Sequence, residues 1–338
     1  MIFNAGFVLA ALIALSGAVE SASVPSPGKW DQYRNSLDKV IGSSANTAKM
    51  AADASNLYKG YLAQKKDATF QGLVKQVKTY SNSNKNAAKV VLTTKGVSSI
   101  ATQVFGSNAS DVHSEAVLAA LLPTSWDSRT KNWVSSIKDQ GQCGSCVAFS
   151  SAATVESTFL SQTGNSIEVS TADLFFCLGS GDGASCNTGW ETGEAANDIA
   201  QNGVVSADCF PYTAGDGQDQ QCDDSDCPRT GGLSDTSFSS VNQIKQHIMT
   251  YGAVVTAFTV YADFMNCCSN NQIYSKHSSQ VEGGHAVSIV GWNDSKKAWL
   301  CKNSWTDSWG TDGFFWIKYG QCGIGSTSET YGFTYSGN

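Results

Sequence analysis

The first 142 of the 338 residues contain no cysteine, and the whole chain has only four histidines and five prolines. Cations are also scarce: 22 Lys and Arg stand against 29 Asp and Glu, a formal net charge of −7. That balance lacks the basic face that a phosphate backbone demands, so no nucleic-acid partner is expected. Long apolar runs are missing too. The most apolar stretch, residues 7–18, falls short of the roughly 20 residues a membrane helix requires. Small residues and then Pro25 and Pro27 follow it, so it reads as a secretory signal peptide over residues 1–22, although no Lys or Arg precedes it.

Charge and cysteine divide what is present. Residues 1–123 carry a net charge of +5 and the remainder −12, and a basic leader on an acidic domain implies mutual attraction. Trp30, Tyr33, Leu37 and Ile41 recur at helical spacing, as do Phe70, Leu73, Val74, Val77 and Tyr80, so residues 23–123 are expected to hold two amphipathic helices. All eleven cysteines lie between Cys143 and Cys322. With one free as a nucleophile, ten remain for five bridges, which suits an oxidising compartment.

The segment Gln140-Gly-Gln-Cys143-Gly-Ser-Cys146 opens an apolar-periodic stretch that runs to Gly164. Cys146 is thereby expected on the first turn of a helix, where the macrodipole and unpaired amides favour a thiolate. Far downstream, His285 precedes a β-rich run and Asn303 ends another, so both are expected at strand ends beside a cleft. A thiol, an imidazole and an amide that orients the ring are the parts of a nucleophilic site. His277 competes with His285 for the base, while His113 and His247 read as solvated. Taken alone, Cys143-x-x-Cys146 could be a redox pair or half a zinc site, but neither a βαβ context nor a second ligand pair at matched spacing accompanies it.

These residues carry a family resemblance. Cys146, His285 139 residues later and Asn303 157 residues later, with Gln140 before the nucleophile, resemble the papain family of cathepsin-type cysteine proteases. Val147 departs from that pattern, which has an aromatic residue after the cysteine. Gly203–Tyr212, Gly252–Phe264 and Gly283-Gly284 resemble the cathepsin B-like branch, but the acidic stretch Gly215–Pro228 lacks the paired histidines of its dipeptide-removing loop. The resemblance implies an α+β fold, a helical subdomain facing a β-barrel-like one over residues 124–338, with residues 23–123 as an inhibitory propeptide. It implies that Gln140 and the Cys146 amide hold the oxyanion, that Cys143 pairs with Cys186, and that Trp305 shields the His285–Asn303 bond.

By the same resemblance Gly189 meets the substrate backbone, Trp190 walls the specificity pocket, Gly284 stands at its rim, and Ala257, Ala286 and Thr327 form its floor. A neutral floor favours an aliphatic or aromatic residue just before the one at the scissile carbonyl. The function expected is that of a cysteine endopeptidase made as a zymogen, a monomer without cofactor or metal, secreted or lysosomal/vacuolar. Its expected partners are polypeptide substrates, its own propeptide and cystatin-like inhibitors. The rival reading is a papain-fold binding or storage protein that has lost catalysis.

Overall fold

The helix that carries Cys146 is buried on nearly every side. The computed structural model describes residues 122–337; the signal peptide, the leader helices and His113 fall outside them. Helix α1 spans Cys146–Thr163 and buries Val147, Ala148, Phe149, Ala152, Val155 and Phe159. Its small polar residues tolerate this because their hydroxyls return to the helix backbone: Ser150 to Cys146 O, Thr154 to Ser150 O and Thr158 to Thr154 O, at 2.8–3.1 Å. Gly164, at φ 76°, ends the helix, donating its N–H to Leu160 O.

Helix α2, Thr192–Asn202, closes at Gly203. Helix α3, Val241–Tyr251, starts at Ser240, whose side chain accepts from Gln243 N, and stops at Gly252. Gly252 is required twice over: its φ is +109°, and a Cβ there would lie 2.6 Å from Ser157 Oγ. Before α2, Ser170 Oγ accepts from Asp173 N at 2.9 Å, where a π-helical turn over Asp173–Leu178 begins. Asp173, buried, pairs with Arg229 at 2.5 Å.

The strands are β1 (Ser125–Asp127), β2 (Val204–Val205), β3 (Arg229–Thr230), β4 (Leu233–Ser237), β5 (Val254–Tyr261), β6 (Ile273–Tyr274), β7 (Val281–Asn293), β8 (Ala298–Lys302), β9 (Phe314–Lys318) and β10 (Thr330–Tyr335). Eight of them form one sheet, in the order β4-β10-β5-β7-β8-β9-β6 with β1 beside β7; β2 and β3 pair separately. Every pairing is antiparallel except β6 with β9. Helices before Gly252 and a large sheet mostly after it make the fold α+β, as expected. One core gathers α1, α2 and the Leu174–Phe176 turn; a second, smaller one lies on the sheet around Val290, Leu300 and Trp316.

Three expectations are corrected. His285 does not precede its strand but sits five residues into β7, opposite Phe258. His247 is not solvated: it is buried between Phe238 and Tyr251. Among the described residues four disulfides form rather than five, Cys143–Cys186, Cys177–Cys222, Cys209–Cys227 and Cys267–Cys268, leaving Cys301 and Cys322 free besides Cys146.

Candidate active site

Each candidate group is delivered by a different element. Cys146 is the first residue of α1. The Cys143–Cys186 disulfide, S–S 2.05 Å, ties the turn just before it to the segment leading into α2, and Gly144 N adds a 2.9 Å bond to Cys186 O. A Cβ at Gly144 would meet that carbonyl at 2.7 Å. On the sheet side, Ala286 of β7 makes a backbone hydrogen bond with Cys146, which brings the thiol beside the residue that follows His285.

Asn303 stands one residue past the end of β8, where Gly313 O accepts its N–H at 2.9 Å. Its Oδ1 accepts from Ser304 N at 2.9 Å and lies 2.8 Å from His285 Nε2. Because Oδ1 is an acceptor, Nε2 carries the ring proton, and Nδ1 keeps the lone pair a general base needs. Trp305 stacks on the ring with centroids 4.5 Å apart and planes 26° from parallel, backed by Phe264 and Trp309. These rings keep water from competing for the His285–Asn303 bond.

Gln140 is buried and held at both ends of its amide. Nε2 donates to Cys143 O at 2.9 Å, and Oε1 accepts from Ser304 Oγ at 2.7 Å. Its backbone N–H reaches Ser304 O at 3.0 Å, and Tyr212 OH bonds its carbonyl. The amide next to the nucleophile is thus fixed by the residue that follows Asn303.

Burial opposes charge on both reacting groups. It pushes the Cys146 thiol up, against backbone hydrogen bonds with Ala286, Val147 and its own amide that pull it down. It takes His285 down to about 4, against the Asn303 bond. The expected resting thiolate is therefore opposed by desolvation: each group, taken singly, is neutral at pH 7. Passing the thiol proton to His285 creates both charges together, and their attraction in a dry site offsets part of the desolvation cost.

The remaining predicted positions lie on β5 and β7 and on the segments before α2 and β10. Gly189 adopts φ 77° and donates its N–H to Ser185 O at 3.0 Å. Trp190 is buried, with Nε1 on Asp182 Oδ2 at 2.9 Å. Ala257 and Ala286 face each other across β5 and β7, and Gly284 pairs with Thr259. Thr327 lies in the turn closed by Glu329 N on Ser326 O at 3.1 Å. His277, the competing base, is exposed in the loop before β7, its backbone N–H on Asp263 Oδ2.

Two features escaped the sequence reading. Glu329 comes to α2 through its Oε2, which accepts from Thr192 Oγ1 at 3.3 Å; only the β5–β10 register could have placed it there. Cys177, Cys222 and Asp224 cluster closely enough for a metal, but both sulfurs are joined in one disulfide, which leaves no thiolate ligand.

Residues 122–331 match the sequence profile of the papain family cysteine proteases. The chain belongs to that family. Mouse cathepsin K is 31% identical over 212 residues, a match covering 60% of this chain and 63% of cathepsin K. Among solved structures, proCathepsin B S9 from Trypanosoma congolense superposes with a TM-score of 0.55 at 25% identity, over 64% of this chain and 78% of that one. The bromelain protease from Ananas comosus, solved in complex with the E64 inhibitor, gives 0.53 at 26% identity over 64% of this chain and all of its own. The papain-family match begins two residues before Thr124 and takes in every candidate site residue from Gln140 to Thr327. Among the described residues, no helix is long and apolar enough to cross a membrane.

Proposed function

We propose that this papain-family chain is a cysteine endopeptidase made as a zymogen, with residues 23–123 as its inhibitory leader. The observation that supports the reading is the His285 Nε2–Asn303 Oδ1 bond, stacked under Trp305, with the backbone of the next residue, Ala286, bonded to Cys146 at the start of α1. Cys146 Sγ attacks the peptide carbonyl as His285 Nδ1 takes its proton. Gln140 Nε2 and the Cys146 amide hold the developing oxyanion. His285 returns the proton to the leaving amine as the C–N bond breaks, and water activated by the same ring hydrolyses the thioester. Asn303 keeps Nδ1 aimed at sulfur throughout.

The absence of histidine from Gly215–Pro228 favours internal cleavage over removal of dipeptides. The cystine-rich half and the apolar N-terminal stretch favour a secreted or lysosomal/vacuolar setting. Polypeptides are the substrates, and cystatin-like proteins fit as inhibitors of such a cleft. An epoxide inhibitor tests the assignment. It should label Cys146 and block peptide hydrolysis, and His285→Ala should abolish hydrolysis while His277→Ala retains it. Labelling at another cysteine, or activity that survives Cys146→Ala, would overturn the reading.

A further inference from the structure

One phenolic oxygen touches both arms of the proposed oxyanion site. Tyr212 OH donates to Gln140 O at 2.9 Å and lies 2.9 Å from Ser145 Oγ. The phenol's single proton is spent on the carbonyl, so Ser145 is the donor in the second bond. Gln140 carries one oxyanion donor on its side chain, and Ser145 immediately precedes Cys146, whose amide is the other. Between them the chain turns through Gly141, at φ 63°, and Gly144. Tyr212 closes that turn by joining its two ends. Ser145 is also an unusual helix start: it is the N-cap residue of α1 and fully buried, yet its side chain makes no cap bond. A serine there ordinarily accepts from the second or third helical N–H, here Val147 or Ala148. The Tyr212 bond turns the hydroxyl away, and the Val147 amide bonds the Cys146 thiol instead.

The Tyr212 ring is held independently of these two bonds. It meets Phe149 edge-on with centroids 4.9 Å apart and stacks on Phe176 at 6.3 Å. Gln220 braces the backbone on either side, its Nε2 donating to Pro211 O and its Oε1 accepting from Thr213 N, both at 2.9 Å. The Cys209–Cys227 and Cys177–Cys222 disulfides anchor the surrounding segment. Burial raises the phenol above its ordinary range, so it keeps the proton it donates. A rigidly mounted ring therefore presents one hydroxyl to the two residues whose relative placement the oxyanion depends on.

We propose that Tyr212 is a positioning residue for peptide hydrolysis, its hydroxyl fixing Gln140 and the Cys146 amide at the separation a developing oxyanion requires. The inference rests on the protease reading. A brace between two donors matters only while both are present, and that separates this role from a merely structural one. Tyr212→Phe keeps every ring contact and frees Ser145 to cap α1, so the variant should fold. Rates are taken per molecule of enzyme titrated with the epoxide inhibitor, so that misfolded chains do not count. Tyr212→Phe should lower kcat about 10-fold with KM unchanged. In a Gln140→Ala background the same substitution should cost less than about 2-fold. An unchanged kcat, a loss confined to KM, or an equal loss in both backgrounds overturns the proposal and leaves proteolysis standing. A wild-type chain that neither cuts the peptide nor takes the epoxide at Cys146 overturns the protease reading and this inference with it.

Discussion

At the scale of single residues, the site depends on side chains whose bonds leave them few alternatives. Gln140 shows this most clearly, since Cys143 O and Ser304 Oγ hold its amide at both ends. Such a donor needs no reorganisation when charge develops on a substrate oxygen, which is where an oxyanion donor acts. Gln140→Ala should lower kcat by about 10²–10³ and, by leaving Cys143 O and Ser304 Oγ unpaired, cost about 1–3 kcal/mol of stability, measured on peptide hydrolysis beside a melting curve. A loss confined to KM would show that Gln140 binds substrate without stabilising the transition state. Cys146, His285 and Asn303 were legible in the sequence because their types and spacing are rare together. Glu329 was not, because nothing local to Ser326–Thr330 says which strand it will face. His247 was misread for a related reason: its neighbours on α3 are polar, but Phe238 and Tyr251 enclose it.

At the scale of elements, boundaries were readable wherever a local stop signal operates. Gly164 ends α1 where the sequence placed it, and Gly203 and Gly252 end α2 and α3 in the same way. β7 was read too short because Gly283 and Gly284 weaken any strand judged locally; pairing of Val281–Ile289 with β5 overrides that weakness. β4, Leu-Ser-Asp-Thr-Ser, shows only one apolar residue and no strand signal of its own, and the ladder with β10 supplies what propensity lacks. Inside α1 the one charged residue is Glu156, 1% exposed. It accepts from Ser135 Oγ, from Lys138 Nζ at 2.8 Å and from Val169 N at 3.0 Å, and so fastens α1 to two irregular segments. Lys302, beside Asn303, joins the same network through Ser135 Oγ at 2.9 Å. Glu156→Ala would leave buried Lys302 and half-buried Lys138 without this anion and should cost about 3–5 kcal/mol in denaturant unfolding. A cost below about 1 kcal/mol would show that Ser135 and Glu168 suffice to hold Lys138.

At the scale of the whole molecule, two buried imidazoles set its response to acid. His247 is held down to about 3 and His285 to about 4 by burial, against about 6.5 in an unfolded chain. Between those values and 6.5 the unfolded chain binds more protons than the folded one. Their contribution is therefore fully present above about pH 6.5 and is lost as pH falls through that window, at roughly 1.4 kcal/mol per pH unit for each ring. His247→Leu should flatten the fall in unfolding free energy between pH 6.5 and pH 4, removing about 3 kcal/mol of it. Identical slopes in the two proteins would mean that His247 is protonated in the fold.

The cystines are spread unevenly across the same body. Three of them close spans of 43, 45 and 18 residues between Cys143 and Cys227, on the side that carries Cys146. The fourth joins the neighbours Cys267 and Cys268 and encloses no chain at all. Long closures restrict the unfolded ensemble, by about 3–4 kcal/mol each in the chain-entropy view; an adjacent pair hardly does. A thiol-rich milieu would therefore loosen the wall bearing Cys146 and spare the one bearing His285, so reductant would draw these two residues apart while the sheet under His285 keeps its shape.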